Sequence, residues 1–208
     1  MFPQWQTPEE KNAVSHRSRA LRRLAEALDR LSAQPPVLLG GFMGVGKSTV
    51  GRLLAEKLGY DFIDMDDHAA GLAGESVRSM LEQGREAEFR VLEEKAAAEL
   101  ASRPACVIAA GGGALASETV GPLLRRACFT VLLTRDPESV FPLISADPGR
   151  PLAFGKSREE LLALLERRLP AYRENARLTV SNDGNPEETA EKIALFYQKA
   201  CNQPENLL

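Results

Sequence analysis

Along the chain, short unbroken apolar runs alternate with longer stretches whose apolar positions recur every three or four residues. The first pattern predicts buried strands and the second amphipathic helices. Residues 37–39, 60–64, 106–110, 128–133 and 178–180 are the five strand-like runs. Helices are predicted over 47–58, 75–82, 86–102, 117–126, 137–144, 158–174 and 186–200. In the first of these, Val50, Leu53, Leu54 and Leu58 line one side, and Gly59 follows as a C-terminal cap. Pro186 suits the opening of the last. Strands that alternate with helices predict a parallel sheet covered on both faces, a three-layer α/β/α domain with five strands.

Ahead of this domain, Leu21, Leu24, Leu28 and Leu31 form one apolar stripe on a helix predicted over about 9–32. Arg17, Arg19, Arg22, Arg23 and Arg30 lie mostly off the stripe. The helix either packs on the main domain or meets a partner. Pro35 and Pro36 end it, dividing the chain into a helical extension, 1–35, and a main domain, 36–208. Residues 145–157 (SADPGRPLAFGKS) read as a loop.

Composition narrows the classes. Hydrophobic residues make up 44% and charged residues 26% of 208, as in a globular protein with a substantial core. The formal net charge of −3 argues against a nucleic-acid binder, which shows a basic face. The three cysteines, 106, 128 and 201, are too widely spaced for a disulfide framework or a metal knuckle. No apolar stretch approaches the roughly 20 residues of a membrane span, and no signal-peptide pattern opens the chain. A reducing cytoplasm is the expected location.

Residues 41–49, GFMGVGKST, carry the strongest chemistry. Gly41, Gly46, Lys47 and Ser48 fit G-x-x-x-x-G-K-[ST], between a predicted strand and a predicted helix. Glycines let backbone N–H groups of Gly44, Val45, Gly46 and Thr49 turn towards a phosphate. The helix N-terminus adds positive potential. Lys47 supplies a charge to the β and γ phosphates, and the Ser48 hydroxyl suits Mg²⁺. This motif predicts a nucleoside triphosphate site in a P-loop kinase type of fold and leaves the phosphate acceptor open.

Other candidates fall at predicted strand ends. Asp64 and Asp66 would face the same way on an extended segment and suit a metal shell and a hydroxyl acceptor. Asp67 reads as a cap for the next helix. Arg90 and Glu93 are neighbours on one helix face, where a surface ion pair would also explain them. Gly111, Gly112 and Gly113 imply that something approaches the backbone closely. Arg150 sits in the 145–157 loop, where a mobile arginine could close on a transferring phosphate. Arg173 lies near the end of the 158–174 helix.

Together these segments resemble the shikimate kinases. The resemblance rests on GFMGVGKSTVGRLLAEKLG at 41–59, FIDMD at 62–66, GREAEFRVLE at 84–93, GGG at 111–113, RPL at 150–152 and RLPAYR at 168–173. It covers about residues 37–200. It implies ATP-dependent phosphorylation of the 3-hydroxyl of shikimate, with Mg²⁺, in aromatic amino-acid biosynthesis. Lys47 would grip phosphate, Ser48 would bind the metal, and Asp64 would reach it through water. Asp66 would hold substrate hydroxyls and act as base. Arg90, oriented by Glu93, and Arg173 would clamp the shikimate carboxylate, with Gly111, Gly112 and Gly113 against the ring and Arg150 as the lid arginine. Only small-molecule partners are implied. A monomer is expected, with a dimer through the N-terminal helix as the alternative.

Three features depart from the family pattern. Leu143 stands where an arginine usually meets adenine, within an apolar run at 140–144. Ala109 and Ala110 precede the glycines in place of a hydroxyl residue. The first 35 residues lie outside the family core. Two other functions fit the pattern less fully: a kinase of another polyol or cyclitol acid, gluconate-like, and a non-catalytic ligand sensor.

Overall fold

The computed structural model describes residues 34–150 and 152–202. The chain divides after Gln34, and the account below concerns the unit that starts at Pro35. The helix expected over 9–32 lies outside the described residues.

Five strands form one sheet: β1 (Val37–Gly40), β2 (Asp61–Asp64), β3 (Cys106–Ala109), β4 (Phe129–Thr134) and β5 (Leu178–Ser181). Their order is β2-β3-β1-β4-β5 and all pairings are parallel. The three inner strands are buried almost throughout, so they carry continuous apolar runs instead of an alternation. Among the described residues eight α-helices complete the layers: α1 (Lys47–Leu58), α2 (Met65–Ala73), α3 (Val77–Glu82), α4 (Glu86–Ala101), α5 (Val120–Ala127), α6 (Pro137–Ser145), α7 (Arg158–Asn175) and α8 (Pro186–Asn202). None of these is long and apolar enough to cross a membrane.

The α/β/α architecture and the five-stranded parallel sheet are those expected from the apolar pattern. Gly59 caps α1 in the left-handed region, at φ 69°. Two elements differ. Helix α2 follows β2 without a break, because the Asp64 carboxylate accepts the backbone N–H of Asp66 and so caps it. Asp64, not Asp67, is therefore the cap. The helix expected from 117 is preceded by a 3₁₀ turn, Ala114–Ala116, and begins only at Val120.

Register brings the carboxyl ends of the strands together. Asp64 pairs with Ala109, Leu39 with Ala109, and Gly40 with Leu132. At the opposite end, Tyr197 of α8 packs its ring 5.5 Å from that of Phe129 and donates its hydroxyl to the Pro35 carbonyl at 2.7 Å. This fixes where the chain enters β1.

Helix α7 is fastened to the turn after β3. Buried Asn175 donates to the Leu115 carbonyl at 3.0 Å and to the Ala171 carbonyl at 3.1 Å. Asn175→Ala leaves a buried carbonyl unpaired and is expected to cost about 1–3 kcal/mol. Urea unfolding checks it, with an unchanged midpoint arguing against this fastening.

Candidate active site

A cavity of about 560 Å³ opens at the carboxyl ends of β1, β2 and β3. Ligands enter parallel sheets at this edge, beside the point where the strand order reverses. Here β1 lies between β3 and β4, so the crossover from β3 to β4 leaves the crevice above β1 open.

The loop after β1 bends back on itself. Gly41, Gly44 and Gly46 all have positive φ, at 136°, 82° and 95°. A Cβ on Gly41 would lie 2.3 Å from the Leu133 carbonyl oxygen, so no other residue fits there. Met43, Lys47 and Ser48 line the cavity, whereas the Val45 side chain is buried in the core and Thr49 is exposed. The Lys47 ammonium donates to the Gly41 and Phe42 carbonyls at 3.0 and 2.9 Å. Burial pushes its pKa down to about 8, against the pull of Asp66. Arg150 and Arg168 act on it in the same direction as burial.

The apolar run at 140–144 has a structural use. Val140, Phe141 and Ile144 are buried, and Val140 and Ile144 pack over Gly44, where a Cβ would meet both at 2.7 Å. Pro142 and Leu143 point outward, Leu143 at 66% exposure. The run presses α6 onto the phosphate loop.

Ser48 donates its hydroxyl to Asp64 Oδ2 at 2.9 Å. Asp66 reaches the cavity differently from the strand alternation expected. It is the second residue of α2, turned inward by the Asp64 cap. Its carboxylate lies against the glycine run, since a Cβ on Gly111 would come within 2.6 Å of Asp66 Oδ1. Burial pushes the Asp66 carboxyl up to about 6, with Asp64 and Glu93 adding to the rise and Lys47 opposing it. The site thus holds a half-tuned carboxylate beside a desolvated ammonium.

The far wall is cationic. Arg90 on α4 donates to buried Glu93 at 2.8 Å and to Glu86 at 3.0 Å. Arg168 on α7 donates to the Gly112 carbonyl at 3.2 Å. A Cβ on Gly113 would sit 3.4 Å from Arg90 Nη1 and 3.9 Å from Arg168 Nη2. Two guanidinium groups from different helices therefore converge over one glycine. Such an arrangement suits a carboxylate, which each fork can accept through paired N–H donors.

Arg173 does not border this cavity. It is exposed, and Arg168 lines the cavity in its place. Five residues along a helix turn the side chain by about 140°. The face of α7 turned to the site carries Leu161, Arg168, Tyr172 and Asn175, with the Tyr172 hydroxyl donating to the Gly112 carbonyl. Spacings of seven, four and three from Leu161 mark this face in the sequence and select the first arginine of RLPAYR.

Arg150 borders the same cavity and donates from Nε to Asp147 Oδ2 at 3.0 Å. The described part of its loop is a series of turns closed by Gly155 N–H on the Ser145 carbonyl at 3.0 Å, with Ala153 fully buried. Ala109 and Ala110 are buried beside these groups and bring no hydroxyl.

The paired Ser48 hydroxyl and Asp64 carboxylate are hard oxygen donors, suited to Mg²⁺. Among the described residues no cluster of three or more His, Cys, Asp or Glu could enclose a metal. That combination fits an ion completed by phosphate oxygens and water.

A P-loop on a parallel sheet, with acids and cations around one cavity, defines a small-molecule phosphotransferase of the P-loop class. The shikimate kinase family profile matches residues 43–198. The shikimate kinase of Thermobifida fusca is 40% identical over 79% of this chain and 95% of its own length. That of Geobacter sulfurreducens is 39% identical over 78% and 91%. The shikimate kinase of Acinetobacter baumannii, solved with shikimate, superposes with a TM-score of 0.75 at 34% identity, over 82% of this chain and 97% of its own. The chain belongs to the shikimate kinase family.

The raised pKa of Asp66 has a consequence for stability. The folded value lies above the unfolded one of 3.8, so this group favours the folded state only while protonated. Its contribution is present below about pH 4 and is lost as the pH climbs towards 6. In chelator-treated protein at pH 7, Asp66→Asn is expected to raise unfolding free energy by about 1–3 kcal/mol while abolishing turnover. Urea titrations at pH 4 and 7 test this, and equal stability of the two proteins at pH 7 counts against the carboxylate being desolvated.

Proposed function

We propose that this protein transfers the γ-phosphoryl group of ATP to the 3-hydroxyl of shikimate, giving shikimate 3-phosphate and ADP. The observation that carries this reading is the convergence of Arg90 and Arg168 over Gly113, with Asp66 against Gly111 two residues away. One acceptor must present a carboxylate to the first pair and hydroxyls to the second group. A ring acid with vicinal hydroxyls does both.

Lys47, the 41–49 backbone and Arg150 hold the phosphates. Ser48 and, through water, Asp64 would hold Mg²⁺, which would supply neutralisation of charge on the phosphate oxygens. Arg90 and Arg168 fix the acid, and Glu93 fixes Arg90. The 3-hydroxyl oxygen attacks the γ-phosphorus, the bond to the β-phosphate oxygen breaks, and the hydroxyl proton passes to Asp66. A carboxyl with a pKa near 6 is ionised at neutral pH, yet basic enough to take a proton as the new bond forms. Every group used lies in one chain, which supports a monomer. A dimer through residues 9–32 is the alternative. The three cysteines are free, which agrees with a reducing cytoplasm.

Incubation with Mg-ATP and either shikimate, quinate or gluconate tests the acceptor. Preferential phosphorylation of gluconate or quinate would sink this reading, and shikimate binding without turnover would indicate a sensor. Arg168→Ala should raise KM for shikimate roughly tenfold to a hundredfold, the worth of a charge-assisted pair of about 1.5–3 kcal/mol. Arg173→Ala should leave KM within about twofold, because surface charges contribute little. Arg150→Ala should lower kcat by at least about a hundredfold, within reach of an arginine finger. A change confined to KM would limit Arg150 to binding.

A further inference from the structure

Asn182 follows directly on β5, 137 residues away from the phosphate loop it touches. Its backbone N–H extends the sheet by donating to the Thr134 carbonyl at 2.8 Å. Its side chain is buried, 3% exposed, and Nδ2 donates to the Val45 carbonyl at 2.8 Å. Gly46 is bare on that side. At φ 95°, a Cβ there would come within 2.5 Å of Asn182 Nδ2. Because a carbonyl only accepts, the amide nitrogen must be the atom that faces Val45. Oδ1 is then left buried with no partner among the described residues. An orphaned acceptor costs about 1–3 kcal/mol. An apolar residue of similar size would avoid that cost.

The geometry of the peptide unit gives the amide a use. The Val45–Gly46 peptide is trans, as are all the described ones, so its C=O and N–H point in opposite directions. Tying the Val45 oxygen to Asn182 leaves the Gly46 N–H on the opposite side of the peptide, free to meet a nucleotide phosphate. Without this tie, a glycine at positive φ next to two other flexible glycines could rotate the peptide and present its oxygen instead.

We infer that Asn182 is a positioning residue for the phosphate cradle: it orients the Val45–Gly46 peptide so that the loop presents a donor to the nucleotide. This rests on residues 41–49 being the nucleotide site and not on the identity of the acceptor. The nearly isosteric variants Asn182→Asp and Asn182→Leu both remove the donor. Calorimetric titration of the full chain with Mg-ADP should show affinity falling roughly five- to fiftyfold in both, while shikimate affinity stays within about twofold. KM for ATP should rise in step, and KM for shikimate should not. Unchanged ADP affinity overturns the inference, and so does an equal loss of ADP and shikimate binding, which would make Asn182 a general structural residue. Should neither variant fold, the wild-type protein still decides. The Nδ2 protons of Asn182 in ¹⁵N-labelled protein should exchange slowly with solvent, and exchange as fast as a free amide overturns the inference. Wild type that binds ADP but fails to phosphorylate shikimate would sink the proposed function and leave this comparison standing.

Discussion

Strand β1 ends at the middle of the sheet, with β3 on one side and β4 on the other, and the chain has nowhere to go but up and back. Gly40 has no room for a side chain, because a Cβ would overlap Leu115 at 2.1 Å. Gly41 has none either, because the Leu133 carbonyl stands 2.3 Å away. The backbone therefore reverses within a few residues and enters α1 with its amide groups gathered at one point. The phosphate loop is the exit of a crowded central strand. The other groups of the site are placed by their distance from it.

Opposite charges are kept in balance around that point. Lys47 loses part of its basicity to burial, and Asp66 loses part of its acidity for the same reason. Each restrains the shift of the other. Farther out, Glu93 is buried only because Arg90 meets it, and Arg90 in turn is held in one orientation. Ion pairs of this kind hold the charged groups in place ahead of a ligand. The glycine run at 111–113 makes this crowding possible. It lets the Asp66 carboxylate and two guanidinium groups lie directly on the backbone.

Much of this was legible in the sequence where a local rule governs. The five strands, the cap at Gly59 and the phosphate motif each depend on residues within one turn or one run. Legibility failed where two elements must meet. Asp66 was assigned to the pocket, but through strand alternation, whereas an Asp64 cap turns the chain into α2 first. The motif RLPAYR points to Arg173 because a motif gives order without rotation, and the helix face that carries Arg168 becomes visible only with Tyr172 and Asn175 on the glycine turn. The apolar run at 140–144 suggested a feature of the base site, and its buried members turn out to pack on Gly44.

The sequence by itself determined a parallel α/β domain with a phosphate-binding loop, because apolar period, glycine placement and the lysine-serine pair are short-range properties. It also held the acidic and basic residues of an acceptor site, though as a set without geometry. Tertiary structure alone decided which arginine joins Arg90, how Asp66 enters, and that Asn182 holds the loop from 137 residues away. Those choices depend on helix rotation and strand register. Both are settled by packing between distant segments, which no local pattern records.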